Sequence, residues 1–284
     1  MKRNFWSILL VALLLAACSA STSGTTGRAA PTGPASTLAT TSRATPTASA
    51  TAPTFINHKK PDAGSDYTAF ESAGCPPDKY GNRACQENGP LYALGCDRIT
   101  ELPNLGALNP AYPIVLCVTD RRVETDADVP KEVEYLGAGG YTYSPRGEYF
   151  FSNGGLVLSL SRYVIDQDDR FVLIKNEDEF RKLFAPLETA DEALAYVQAA
   201  TGLSELYDLK FQPDYDYFVD TIEDTHAEKA ADGYLVYLYN KRVFGCGPHP
   251  TFRVTLHVTP EGIIQQQEVK QVFKDRSEDG MCVD

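Results

Sequence analysis

The stretch "TFRVTLHVT", residues 251–259, decides the fold class. Phe252, Val254, Leu256 and Val258 alternate with Arg253, Thr255 and His257. That period of two belongs to a strand with one face in a core and the other in water. Downstream, Pro260-Glu261-Gly262 turns the chain into "IIQQQEVKQVF". Upstream, "LKFQPDYDYFVDTIEDTHAE" supplies one or two strands, and "ADG" at 231–233 turns into "YLVYLYNKRVF". Short loops between neighbouring runs predict an antiparallel meander of four or five strands.

Two helices precede this series. In "NEDEFRKLF", Asn176 is the N-cap and Glu179 stands three residues on; Pro186 closes the segment. "TADEALAYVQAATG" repeats the device with Thr189, Glu192 and a terminating Gly202. Ala193, Leu194, Val197 and Ala200 form one apolar face, so this helix is expected to lie on a sheet. Before the helices, "LVLSLSRYVIDQDDRFVLIK" reads as a hairpin with an Asp-rich turn. The sum is α+β: an antiparallel sheet with one or two helices packed on one face.

Residues 55–155 carry Gly, Pro and cysteine but few long periodic runs, with "PIVLCVTD" the clearest strand. A loop-rich, disulfide-braced region is expected there rather than a second regular core. Setting Cys18 aside, six cysteines remain of seven: Cys75, Cys85, Cys96, Cys117, Cys246 and Cys282. An even number in an exported chain argues for three disulfides. Pairing by proximity gives Cys75–Cys85, Cys96–Cys117 and Cys246–Cys282. The last closes the longest loop, worth roughly 4 kcal/mol in the chain-entropy model.

The first residues, "MKRNFWSILLVALLLAACSAS", combine Lys2 and Arg3 with an apolar core too short to span a bilayer comfortably. Leu15-Ala16-Ala17-Cys18 resembles the lipobox of bacterial lipoproteins. That resemblance implies a signal peptide over 1–17, cleavage before Cys18, and acylation of the Cys18 thiol and the new amino group with palmitate-type chains. It implies a lipid-anchored protein of the bacterial cell envelope, with its domain outside the cytoplasm and the membrane as its first partner. Residues 18–54 then form a tether of Ser, Thr, Ala, Pro and Gly without an acidic or aromatic residue. Such a composition does not bury enough surface to order itself. All 38 acidic residues lie beyond it, against 22 of the 26 basic ones. A domain this acidic repels phosphate backbones, which argues against nucleic acid and for a cation or a basic protein or peptide as partner.

The organisation is therefore 1–17 signal peptide, 18–54 lipidated cysteine and tether, 55–155 disulfide-braced region, and 156–284 α+β domain. Within the last, the helix at 189–202 with the later "YLVYL" and "VTPEGII" resembles PepSY-type modules of bacterial envelopes. The resemblance covers under half of the chain and implies a binding or peptidase-modulating role rather than a catalytic one.

Candidate chemistry is sparse. Cys246-Gly-Pro-His249 differs by one residue from the thioredoxin-like Cys-Gly-Pro-Cys, but Pro250 and an alternating run follow where a thiolate-stabilising helix would begin. A disulfide-braced turn with His249 exposed is the expectation. Asp224, His226 and Glu228 share strand parity and would line one face about 6.6 Å apart, a carboxylate–imidazole–carboxylate row suited to a metal or a proton. His257 would lie near it if the sheet order allows. Asp275, Ser277, Asp279 and Gly280 match the first half of a calcium loop without its bidentate acid, and Asp166, Asp168 and Asp169 read as a turn. The tyrosines of "DYDYF" and "YLVYLY" offer a carbohydrate or peptide platform. No nucleophile elbow, zinc-protease helix, phosphate loop or dinucleotide fingerprint occurs. The expectation is a non-catalytic binding or structural module without a cofactor; the alternative is an extracellular hydrolase or metal-dependent enzyme.

Overall fold

The computed structural model describes residues 52–284 other than 103, 123–133, 137–139, 143–149, 154–156, 242–244 and 284. The expected signal peptide, Cys18 and the expected tether up to residue 51 lie outside the described residues. The chain runs through β1 (Thr54–Ile56), α1 (Thr68–Ser72), β2 (Arg83–Ala84), α2 (Pro90–Ala93), β3 (Arg98–Thr100) and β4 (Ile114–Arg122). Next come β5 (Glu134–Leu136), β6 (Gly140–Thr142), β7 (Phe151–Asn153), β8 (Val157–Gln167), β9 (Arg170–Ile174), α3 (Glu177–Phe184) and α4 (Ala190–Thr201). The remainder is β10 (Tyr215–Tyr217), β11 (Thr221–Glu223), β12 (His226–Ala230), β13 (Gly233–Lys241), β14 (Gly245–Cys246), β15 (Thr251–Val258), β16 (Ile264–Asp275) and β17 (Cys282–Val283).

The alternating stretch is β15, the middle strand of a five-stranded antiparallel sheet ordered β10-β16-β15-β13-β12. Four of these strands follow one another as the expected meander. β10 closes the far edge by pairing with the end of β16. Phe252, Val254, Leu256 and Val258 are buried, as their alternation requires. At the β12–β13 hairpin, Gly233 has φ +155° and comes so near β15 that an added Cβ would stand 2.1 Å from the Val258 carbonyl oxygen. Glycine is required there by close approach.

Both helix starts are built as the sequence predicts. The Asn176 side chain accepts from the Glu179 N–H at 3.0 Å. Thr189 and Glu192 close a full capping box, and Gly202 ends α4 in the left-handed region at φ +66°. The burial of α4 departs from a one-faced helix: Ala193, Leu194, Ala195, Tyr196, Val197 and Ala199 are all buried. Two layers share it. Val236, Leu238, Val254 and Leu256 come from the five-stranded sheet, while Ile114, Tyr163, Ile165 and Ile174 come from a second sheet, and all belong to one core. The Tyr163 hydroxyl donates to the Ala199 carbonyl at 2.8 Å, fastening that second sheet to α4.

The expected strand at 113–120 is β4 and the expected hairpin is β8 and β9. With the short β2, β3 and β7 they form a six-stranded antiparallel sheet, β2-β3-β4-β8-β7 with β9 on β8, which joins the cysteine-rich region to the hairpin. β4 and β8 pair over nine residues, from Ile114 opposite Ile165 to Arg122 opposite Val157. The β8–β9 hairpin turns at Asp168 and Asp169, both with positive φ, so these acids serve a turn. Because the hairpin joins β4, a boundary at residue 155 falls inside this sheet.

All three disulfides join the expected partners: Cys75–Cys85, Cys96–Cys117 and Cys246–Cys282. The third links β14 to β17, whose Cys246 and Cys282 stand opposite one another. His249 is not exposed on the turn they brace. It is 2% exposed, with Nε2 3.2 Å from the Met281 carbonyl oxygen. The chain returning from β16 covers the imidazole.

Candidate functional site

β1 pairs parallel with β11, Thr54 opposite Thr221 and Ile56 opposite Glu223. The Asp224 N–H continues the ladder by donating to the Ile56 carbonyl at 2.9 Å. This pairing carries the next residues of the N-terminal segment alongside the start of β12. His58 thereby comes to lie face to face with His226, ring centroids 3.7 Å apart and planes 11° from parallel. His226 in turn stacks on Tyr237, its cross-strand partner on β13, at 4.3 Å and 14°. Three flat rings thus form a pile at the β12 edge of the sheet.

Glu223 lies against two of the rings. Its Oε2 is 3.5 Å from His58 Nε2 and 3.7 Å from His226 Nε2. Its Oε1 faces Arg253 Nη1 at 4.0 Å, and Arg253 also reaches Glu268 at 3.2 Å through Nη2. Among the described residues, His58, Glu223 and His226 are the group whose metal-type donor atoms all lie within 4.8 Å of one another. His226 Nδ1 lies 2.8 Å from the Asp224 carbonyl oxygen. A carbonyl only accepts, so Nδ1 carries a proton and the neutral ring presents a bare Nε2 towards Glu223. Burial, aided by the neighbouring His58, holds His226 below the ordinary imidazole range. Tyr237 is pushed up to about 12, first by burial and then by Glu228.

The row Asp224–His226–Glu228 is not assembled as parity predicts. β11 ends at Glu223 and β12 starts at His226, so the chain bends through Asp224 and Thr225. The Asp224 side chain is buried and accepts the backbone N–H groups of Asp208 at 2.9 Å and Leu209 at 3.1 Å. It organises a turn. Glu228 stays on the strand and accepts from the Tyr237 hydroxyl at 2.8 Å. His226 is the member that enters the cluster. His257 lies across β13 on β15, and its Nε2 is 2.9 Å from Asp232. The half calcium loop is also used internally. Asp275 accepts from the Ser277 N–H and hydroxyl, and Asp279 pairs with Lys274.

The expected tyrosine platform is split. Tyr234 points into the core beneath α4. Tyr215, Tyr217 and Tyr239 join Phe55 and Phe273 around a cavity of about 400 Å³. Lys210 and Lys241 line it too, and among the described residues Asp208 is the one carboxylate in its wall. Phe211, half exposed, stacks on Tyr217 at 5.6 Å.

Glu223 and His58 escaped the sequence reading. Glu223 lies one residue from the parity row, and His58 lies four residues beyond the end of the expected tether at residue 54. Only the "TFI" preceding His58, a β-branched and aromatic triplet, hinted at a strand there. Comparison of the chain with family models, with curated proteins and with solved structures gave no match.

Proposed function

We propose that the chain is a lipid-anchored protein of a bacterial cell envelope that presents a non-catalytic binding module outside the cytoplasm. The observation that carries this reading is how the seven cysteines are used. Six are consumed in three disulfides, which belong to an oxidising compartment, and Cys18 of the lipobox-like stretch is the one left over. Acyl chains on Cys18 contribute about 0.8 kcal/mol per buried methylene, enough for a lasting anchor when two or three are present.

The aromatic cavity beside β10 and β16 is the ligand surface of this reading. Its wall of tyrosine and phenylalanine is suited to a flat or apolar group, and Lys210 to an anionic end, while Lys241 pairs with Glu278 at 2.7 Å. Among the described residues its wall holds a single carboxylate, Asp208, and no histidine or cysteine, which favours binding over acid–base hydrolysis. The His58–Glu223–His226 cluster gives a second reading, a metal-dependent enzyme, its one specific support. None of the three residues lines that cavity, however. Expression of the full chain beside its Cys18→Ser variant tests the anchor. The parent is expected in the detergent phase of a partition experiment, with an acylated N-terminal peptide beginning at Cys18. The variant is expected in the aqueous phase or unprocessed. A parent chain that partitions to water with an unmodified Cys18 overturns the proposal.

A further inference from the structure

We propose that His58, Glu223 and His226 bind one divalent transition-metal ion of the zinc class, with His58 as the ligand that moves to admit it. The donors are close to their working separations. Zinc bonds of about 2.0–2.2 Å in a tetrahedron place ligand atoms roughly 3.3–3.6 Å apart. Glu223 Oε2 is already 3.5 Å from one imidazole Nε2 and 3.7 Å from the other.

The surroundings prepare the donors as well. The Asp224 carbonyl accepts from His226 Nδ1–H, the outer contact that metal-bound histidines make through their second nitrogen. It fixes the tautomer that leaves Nε2 free to ligate. Arg253 faces the other oxygen of Glu223 and leaves Oε2 turned to the two rings. His58 Nε2 is buried yet has no hydrogen-bond partner. A buried polar nitrogen without a partner is costly, and the Glu223 carboxylate facing the bare Nε2 of His226 adds repulsion. One proton relieves one of these contacts. One cation relieves all of them.

Two imidazoles and one carboxylate select zinc and its borderline neighbours over magnesium or calcium, which prefer all-oxygen sets. Three protein ligands leave a fourth position for water or an incoming donor. The stacked rings add a specific consequence. An imidazole lone pair lies in the ring plane, and planes 11° from parallel do not converge on one point. His226 is held by Tyr237 and Asp224. His58 follows a three-residue strand and is a third exposed, so it is the ring free to swing. Metal binding therefore breaks the His58–His226 stack and keeps the His226–Tyr237 stack.

The site is independent of the lipid anchor, and so is its test. The full chain, purified in detergent without a histidine tag and stripped with chelator, is titrated with Zn²⁺ by calorimetry and with Co²⁺ by visible absorption. Parent and Cys18→Ser chains are both expected to bind one equivalent. His58→Ala and Glu223→Gln are each expected to weaken binding about tenfold or more, by analogy with losses around other metal sites. His257→Gln is expected to leave it unchanged. The sequence holds four histidines, so their ring nitrogens can be followed individually in the parent chain. Zn²⁺ should shift those of His58 and His226 and leave those of His249 and His257 in place. Absence of stoichiometric binding, binding that survives both substitutions, or unmoved His58 and His226 resonances overturns the proposal.

Discussion

The two sheets reach stability by different means. The five-stranded sheet has long, alternating strands, and its inner face meets a helix buried nearly all round. Its disulfide, Cys246–Cys282, sits outside that core with both cysteines exposed. The six-stranded sheet has two long strands and several very short ones. On its other side lies a small cluster of eight buried residues, of which Cys75, Cys96 and Cys117 are three. Here the sulfur atoms are core material, filling space that Phe70, Leu91, Ile99 and Val115 leave between the helical turns and the sheet. A region short of apolar side chains thus uses cross-links as both constraint and packing.

Removing the cross-links sets the two accounts against each other. Cys96→Ala with Cys117→Ala is expected to cost about 2–5 kcal/mol in denaturant unfolding, since it deletes a bond and opens a gap in the core. Cys246→Ala with Cys282→Ala opens no gap in a core and is expected to cost less than that, at most the roughly 4 kcal/mol of the chain-entropy model. Loop closure alone orders the pairs the other way, because the sequence separations are 21 and 36 residues. A larger loss at Cys246–Cys282 would therefore show that chain entropy, and not packing, governs both cross-links.

The five-stranded sheet should answer instead to backbone geometry. Gly233→Ala forces a Cβ onto the Val258 carbonyl and is expected to cost on the order of 1–3 kcal/mol, with faster amide exchange along β13 and β15. A neutral result would mean that the hairpin can shift without loosening the sheet. Thr189→Ala removes one side of the α4 capping box and is expected to cost about 1 kcal/mol, read from the same unfolding curves.

The smallest effect lies where the two regions meet. The Asn104 side-chain amide donates to both oxygens of Glu205 at 2.6 Å. Burial pushes the Glu205 carboxyl up, against the opposing pull of Asn104 and Lys60. The folded state thus holds this proton more tightly than the unfolded one. The group's contribution is most favourable below the ordinary glutamate value and declines as pH rises through the raised one. Glu205→Gln should accordingly melt above the parent at pH 7 and close to it near pH 4. A lower melting temperature at pH 7 would show that the charge is needed for the junction.

What could be read from the residues was local. The alternation in β15, the caps of α3 and α4 and the hairpin at Asp168–Asp169 each depend on a few adjacent residues. Local periodicity and capping chemistry are enough to specify them. The six-stranded sheet was hidden because its short strands carry little periodic signal and gain their identity from pairing with β4 and β8. The metal-type cluster was hidden for a related reason. His226 was visible, but its partners depend on a parallel pairing of β1 with a strand distant in sequence, and on a bend that withdraws Asp224 and brings Glu223 forward. The sequence by itself determined the long strands and the two capped helices, because these follow from interactions within a turn or two of chain. The tertiary structure alone decided which side chains meet, because a strand has no partner until a distant segment offers it an edge.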